Sequence, residues 1–384
     1  MRRLFWIAIF ATLSGFAGVE ERWEAHPVAN DLKGGYQVVP ADINGDGKID
    51  LIALASGQTD LVWFENPQWT RHVLATGLRN LINAAAEDLD GDGIPEIAVA
   101  YEFSMQAKKS RGVVAVLRHG SDVMKPWTAE QIDELPTSHR LRWASPFGDG
   151  KKVLINAALT SAEVNAPEDH AFAPLVFYRP EIWKRELVGR ENEGVQHGVF
   201  VLNWSEPGKD DLLTASFSGI DLYEAQKNGG WRRTEINKGS TAAWPKCGTS
   251  DVTVGHLGKR RYIAAIEPWH GNEVAVYFEN KDKWVRSVID EGLKDGHTIL
   301  TADLDGDGRD AIIAGFRGNG GGVFAYRAED SLGTKWRKSV IETGAPAASC
   351  AMAKLRDTGG DDLVCIGGAD LTLYRPAGKQ SSRP

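Results

Sequence analysis

Three cysteines among 384 residues are too few, and odd in number, to form a disulfide framework. Cys350 and Cys365 are close enough in the chain to face one another on adjacent strands, but buried free thiols are the plainer expectation for them and for Cys247. Beyond residues 1–18 no apolar run is long enough to span a bilayer, which excludes membrane helices from the rest of the chain. Basic residues, 44 Lys and Arg, are outnumbered by 52 Asp and Glu. A formal net charge of -8 argues against nucleic acid as a partner. Missing too are the GxSxG, HExxH, Walker and dinucleotide fingerprints, and with them the commonest hydrolase, peptidase and nucleotide chemistries.

The opening segment "MRRLFWIAIFATLSGFAG" has two arginines, a short apolar run and small residues near Ala17, the layout of a secretory leader. The expectation is a signal peptide over 1–18, a single domain over 19–378 and a disordered tail over 379–384. The mature chain is then exported, periplasmic or extracellular, and monomeric, with no lipid anchor because no cysteine stands near the cleavage region.

Two periodicities organise the remainder. "DINGDGKID" at 42–50, "DLDGDGIPE" at 88–96 and "DLDGDGRDA" at 303–311 crowd carboxylates around glycines. An EF-hand is excluded, since Ala53, Val99 and Ala314 stand where its last ligand belongs and strand-like aliphatic runs follow each loop. The second periodicity is tryptophan: Trp69, Trp127, Trp183, Trp231, Trp284 and Trp336 recur every 48 to 58 residues, each followed five positions on by Leu74, Ile132, Val188, Ile236, Ile289 or Ile341. Such a period means an array of one supersecondary unit. Four strands fit in each unit, and four-stranded units stacked radially make a β-propeller. Seven inner strands are found, but only six tryptophan strands follow them. The missing one is "WEAHPV", with Trp23 and Val28 in the pattern, so the N-terminal strand completes the seventh blade. The predicted fold is all-β, a seven-bladed propeller.

The loops "DINGDGKIDLIAL", "DLDGDGIPEIAVA" and "DLDGDGRDAIIAG" resemble FG-GAP or VCBS repeats, the propeller repeats also found in integrin α-subunits. The segments "EPWHGNEVAVY" and "GHTILTADLDGDGRDAIIAGFRG" are similar to the propeller domain of aldos-2-ulose dehydratases, which eliminate water from keto-sugars and use metal ions. That resemblance implies a role for His270, His297 and Arg317. None of the 384 residues resembles the cupin-like domain that accompanies some dehydratases.

Hard cations take six to eight oxygens. Structural Ca2+ is therefore expected at Asp42, Asn44, Asp46 and Asp50; at Asp88, Asp90, Asp92 and Glu96; and more weakly at Asp303, Asp305 and Asp307, where Ala311 replaces an acid. Aligning the inner strands on the first acidic position places His139, His197 and His297 at one offset, each six residues before it. His270, in "EPWHGNE", joins them at the same mouth with Glu267 and Trp269, and "LRW" adds Arg142 and Trp143. Grouped imidazoles suit Zn2+ or another divalent transition metal, or acid–base work near neutral pH. The four histidines and Arg317 are the catalytic candidates, and Glu267, Trp269, Arg142 and Trp143 the substrate-binding ones. Three functions remain open: a secreted carbohydrate lyase or dehydratase, a calcium-stabilised propeller that binds a glycan or protein without catalysis, and a scaffold whose channel the histidines plug.

Overall fold

The structure, a computed structural model, describes residues 22–167, 170–189, 192–227 and 229–377. The leader and tail expectations lie outside these. Seven four-stranded antiparallel sheets are arranged radially. Their inner strands are Gly35–Ala41, Asn83–Glu87, Ser138–Ala144, Gln196–Leu202, Asp251–Leu257, Gly296–Ala302 and Ser349–Ala353, in blades 1 to 7, and each packs against the next round the ring. The seventh blade takes its outer strand, Trp23–Ala29, from the start of the chain, pairing from Trp23 opposite Pro376 to Ala29 opposite Leu371. Closure in this way protects strand edges that would otherwise be exposed.

Position in the blade sets composition. Second strands such as Asp50–Ala55 and Asp211–Ser216 are buried along their whole length, with neighbouring blades covering both faces, and so read as continuous aliphatic runs. Outer strands such as Trp231–Asn237 alternate between half-buried and exposed. Between blades 1 and 2, Leu54, Trp63, Leu74, Ile97, Leu117 and Trp127 interlock in one cluster. Each fully buried aliphatic side chain of this kind contributes about 1.5–3 kcal/mol.

The acidic loops show a device hidden in the sequence. The first residue of the second strand is a buried acid in four blades: Asp50, Glu96, Asp211 and Asp362. Asp50 accepts from the backbone N–H groups of Ile43 (3.0 Å) and Asn66 (2.9 Å), and burial pushes its carboxyl up to about 6. Glu96 accepts from Leu89 N (2.9 Å) and Arg118 (2.6 Å). Asp211 accepts from the amide and hydroxyl of Ser205, and Asp362 from Arg356 and Arg375. These acids fasten the loop to the blade, whether or not the loop has the glycine-rich pattern. Within the loops Asp42 and Asp303 gather the N–H groups of the following glycines. Ligand atoms of three acids come within 4.8 Å of one another in the second loop alone among the described residues, at Asp88, Asp90 and Glu96. Asp310 does not stand in for the acid missing at Ala311, because it turns to the His256 amide (2.7 Å).

One expectation is corrected. Cys350 and Cys365 face each other on paired strands and form a disulfide, leaving Cys247 free.

Candidate functional site

The inner strands pair regularly with their neighbours except at one place. In blades 1, 3, 4 and 6 the register slips by one residue near the strand start, between Gly35 and Gln37, Ser138 and Arg140, Gln196 and Gly198, and Gly296 and Thr298. The residues left over are Tyr36, His139, His197 and His297. A bulged residue is released from the pleat and can be re-aimed, and all four turn toward the channel axis. The bulge also lets the consecutive residues His139 and Arg140 contribute to one cluster, which strict alternation would forbid.

His270 reaches the same point from the blade-5 loop between second and third strands. Its backbone is held at φ 48°, with its amide donating to Ser250 Oγ (3.2 Å). A non-glycine residue in this region costs about 1–2 kcal/mol. The result is a packed layer: ring centroids of His197 lie 4.8, 5.0 and 5.1 Å from those of His139, His270 and His297. Tyr36 Oη is 2.9 Å from His139 Nε2 and 3.4 Å from His297 Nε2. His139, His197 and His297 are no more than 2% exposed, whereas the His270 side chain retains 20%.

The partners fix two of the tautomers. His197 Nδ1 faces the Ser250 carbonyl at 3.1 Å and His297 Nδ1 the Ala348 carbonyl at 2.6 Å. Carbonyls only accept, so both Nδ1 atoms carry the proton and both Nε2 atoms present lone pairs. His270 Nδ1 lies 3.1 Å from both an acceptor, Asp295 Oδ1, and a donor, Arg317 Nη2, so its neighbours do not fix its tautomer. His270 Nε2 and His197 Nε2 are 3.3 Å apart: with the proton on His270 Nε2 they share a hydrogen bond, and with it on Nδ1 they turn two lone pairs toward one point. The nitrogens of His197, His270 and His297 fall within 4.8 Å of one another. Neutral imidazoles oriented by Nδ1–H bonds are what a nitrogen-preferring divalent metal requires. Arg140 competes for the position, with Nη2 3.3 Å from His197 Nε2 and Nη1 3.1 Å from His139 Nε2.

Electrostatics keep the layer neutral. Burial first, then the charge of Arg140, holds His139 and His197 well below the ordinary histidine range. For His297 burial is followed by the charge of Arg317. Burial also lowers His270, opposed by its bond to Asp295. Asp295, despite burial, is held low by His270 and by Arg317, whose Nε is 3.0 Å from its carboxylate. Arg317 Nη2 lies 3.1 Å from His270 Nδ1.

Three expected substrate contacts sit elsewhere. Glu267 is fully buried inside blade 5, bonded to Tyr277, to Thr249 Oγ1 (3.3 Å) and to Arg286 (2.7 Å), because the cluster of polar groups there requires a counter-charge. Trp143 packs between blades 2 and 3 with its indole N–H on the Ala85 carbonyl (3.1 Å). Trp269 is 8% exposed and supports His270 from behind, 4.4 Å between centroids. Arg142 lies deeper in the channel, its Nη1 on the Leu141 carbonyl (2.7 Å). Residues not anticipated are Tyr36, Arg140 and Asp295. His170 stacks on Trp244 at 3.9 Å, beside Phe217 and the aromatic cluster that includes Trp269.

Residues 42–99 match the FG-GAP-like repeat family, and residues 111–280 match the aldos-2-ulose dehydratase β-propeller domain. The FG-GAP-like match takes in the first two acidic loops, at 42–50 and 88–96. Aldos-2-ulose dehydratase of Phanerodontia chrysosporium is 25% identical over 296 residues, 66% of this chain and 32% of that protein, so the match spans about a third of the relative's length. Among solved structures, BBS1N in complex with ARL6DN, soaked with mercury, superposes with a TM-score of 0.57 at 12% identity, covering 94% of this chain and 99% of its own. The Dos1 propeller gives 0.54 at 10% identity, covering 88% and 78%. At these identities the two structures speak for the fold alone.

Proposed function

We propose that the chain is an exported carbohydrate-active propeller that catalyses an elimination on a sugar or keto-sugar at the imidazole layer. The observation that carries this reading is the convergence of ring nitrogens from His197, His270 and His297, the first and last oriented from behind by Nδ1–H bonds, in a chain related to a dehydratase propeller. His197, His270 and His297 would hold Zn2+ or a similar ion, which when bound supplies Lewis acidity toward a sugar oxygen. Asp295 orients His270 and compensates Arg317. Tyr36 Oη, shared between His139 and His297, is the group positioned to pass a proton within the layer. Arg317, at the exposed edge beside His270, is placed to stabilise a developing oxyanion. Ca2+ in the second acidic loop, at Asp88, Asp90 and Glu96, is proposed as structural.

The near-complete burial of three of the histidines favours a second reading, a binding propeller with a plugged channel. Elemental analysis of the purified protein separates the two. The enzyme contains a transition metal that is lost in His197→Ala and His297→Ala, and it generates ultraviolet absorbance from a new conjugated double bond on keto-sugar or uronate substrates. Calcium alone, with no absorbance on any of them, would overturn the elimination reading.

A further inference from the structure

Past the imidazole layer the channel widens into a cavity of about 120 Å3. Every inner strand contributes to its wall, mostly through positions one to three residues beyond the layer, so it lies on the axis. Its charged lining is Arg140, Arg142 and Asp251. Arg140, 6% exposed, directs its N–H groups to neutral partners: His139, His197 and Tyr36. Arg142 bonds the Leu141 carbonyl and, at 3.2 Å, Asn83 Oδ1. No ion pair among the described residues includes either guanidinium. Asn83 Oδ1 also accepts from Leu141 N (2.8 Å), which leaves the amide NH2 as the donor end of that side chain. Asp251 accepts from Val252 N (2.9 Å), and burial pushes its carboxyl up, which weakens it as a counter-charge. Arg140, buried, and Arg142, half-buried, against one reluctant acid leave the cavity net positive, and buried charges ordinarily have partners. Burial accordingly lowers Arg142 to about 10.

We propose that this cavity is a binding site for a small monoanion, a halide or a carboxylate head group, held by Arg140, Arg142 and the Asn83 amide. The volume is several times the roughly 10–15 Å3 that one water needs, enough for chloride with hydration or for formate. Planar guanidinium forks suit both ligands. The site adjoins the cation trio, since His297 lines the cavity and Arg140 reaches His197 Nε2, but the proposal does not depend on the elimination reading.

Chloride NMR line width on the full protein tests it. Wild type should show saturable chloride broadening, insensitive to chelators. Formate should displace it if carboxylates fit; failure of formate with displacement by bromide identifies a halide site. Arg142→Gln should weaken chloride binding at least tenfold. Should that variant fail to fold, Arg142→Lys, which retains charge without the fork, should weaken binding by about tenfold. Absence of saturable broadening in wild type, or equal affinity in a folded Arg142 variant, would overturn the proposal. Because the readout is independent of metal content and turnover, its failure leaves the elimination reading to its own test.

Discussion

Replacing Glu267 by glutamine separates a structural role from a substrate-binding one. The carboxylate is fully buried, with Arg286 at 2.7 Å, the Tyr277 hydroxyl bonded to it and Thr249 Oγ1 at 3.3 Å. Breaking a buried ion pair costs about 3–5 kcal/mol when the remaining charge is stranded. Here Arg286 keeps Glu273 as a second partner and its side chain is 27% exposed, which brings the expected loss down to about 2–3 kcal/mol. For a domain of this size each kcal/mol moves the midpoint by about 1.3 °C, so Glu267→Gln should melt about 3–4 °C lower. Scans should be compared at one rate, because a large ring can unfold irreversibly. A double-mutant cycle with Arg286→Met should recover part of the loss, since the two residues share one interaction. An unchanged melting temperature accompanied by lost glycan binding or turnover would refute the assignment and return Glu267 to the list of ligand contacts.

Other outcomes follow from the same geometry. His139, His197 and His297 are held below their ordinary range, so the unfolded chain binds protons that the folded one refuses; stability should be fully present above about pH 6.5 and fall as the pH drops toward the depressed values. His297→Gln should flatten the Tm-against-pH slope by one proton's share, and an unaltered slope would count against a buried neutral imidazole there. Reduction of Cys350–Cys365, separated by 15 residues, should lower stability by about 3 kcal/mol, read as a denaturant midpoint with and without reductant. Chelation should lower the melting temperature of wild type but not of Asp90→Asn if the second acidic loop holds Ca2+. Asp211→Ala, in a blade without the glycine-rich loop, should destabilise by about 1–3 kcal/mol regardless of calcium, by stranding the Ser205 amide.

The ring was legible in the sequence because every blade repeats the same burial problem. A tryptophan strand and an aliphatic second strand recur at a spacing that only radial stacking satisfies, and "WEAHPV" supplied the one strand missing at the end. The imidazole layer could be located as well, since equal offsets in equivalent strands converge on an axis. Arg140 escaped notice because alternation assigns it to the face opposite His139, and the bulge that cancels alternation has no residue signature. Asp295 escaped because its partner, His270, lies 25 positions earlier in another blade. Trp143 and Glu267 looked like site residues by adjacency alone, but a neighbour of an axial residue usually points into the interblade packing. The acidic loops were readable as turns. Which of their acids serve the backbone and which are available to an ion depends on hydrogen-bond partners 7 to 22 positions away.

The wheel has a single seam, where the earliest described strand is hydrogen-bonded to the last. A ribosome delivers the first of those partners long before the second, so the circle stays open until residues 370–376 have emerged. Blades 1, 3, 4, 5 and 6 must all be in place before their imidazoles and Tyr36 can meet at the hub. Any chemistry at the hub is therefore withheld from truncated or half-made chains, and its appearance during refolding would time the moment the seam zips shut.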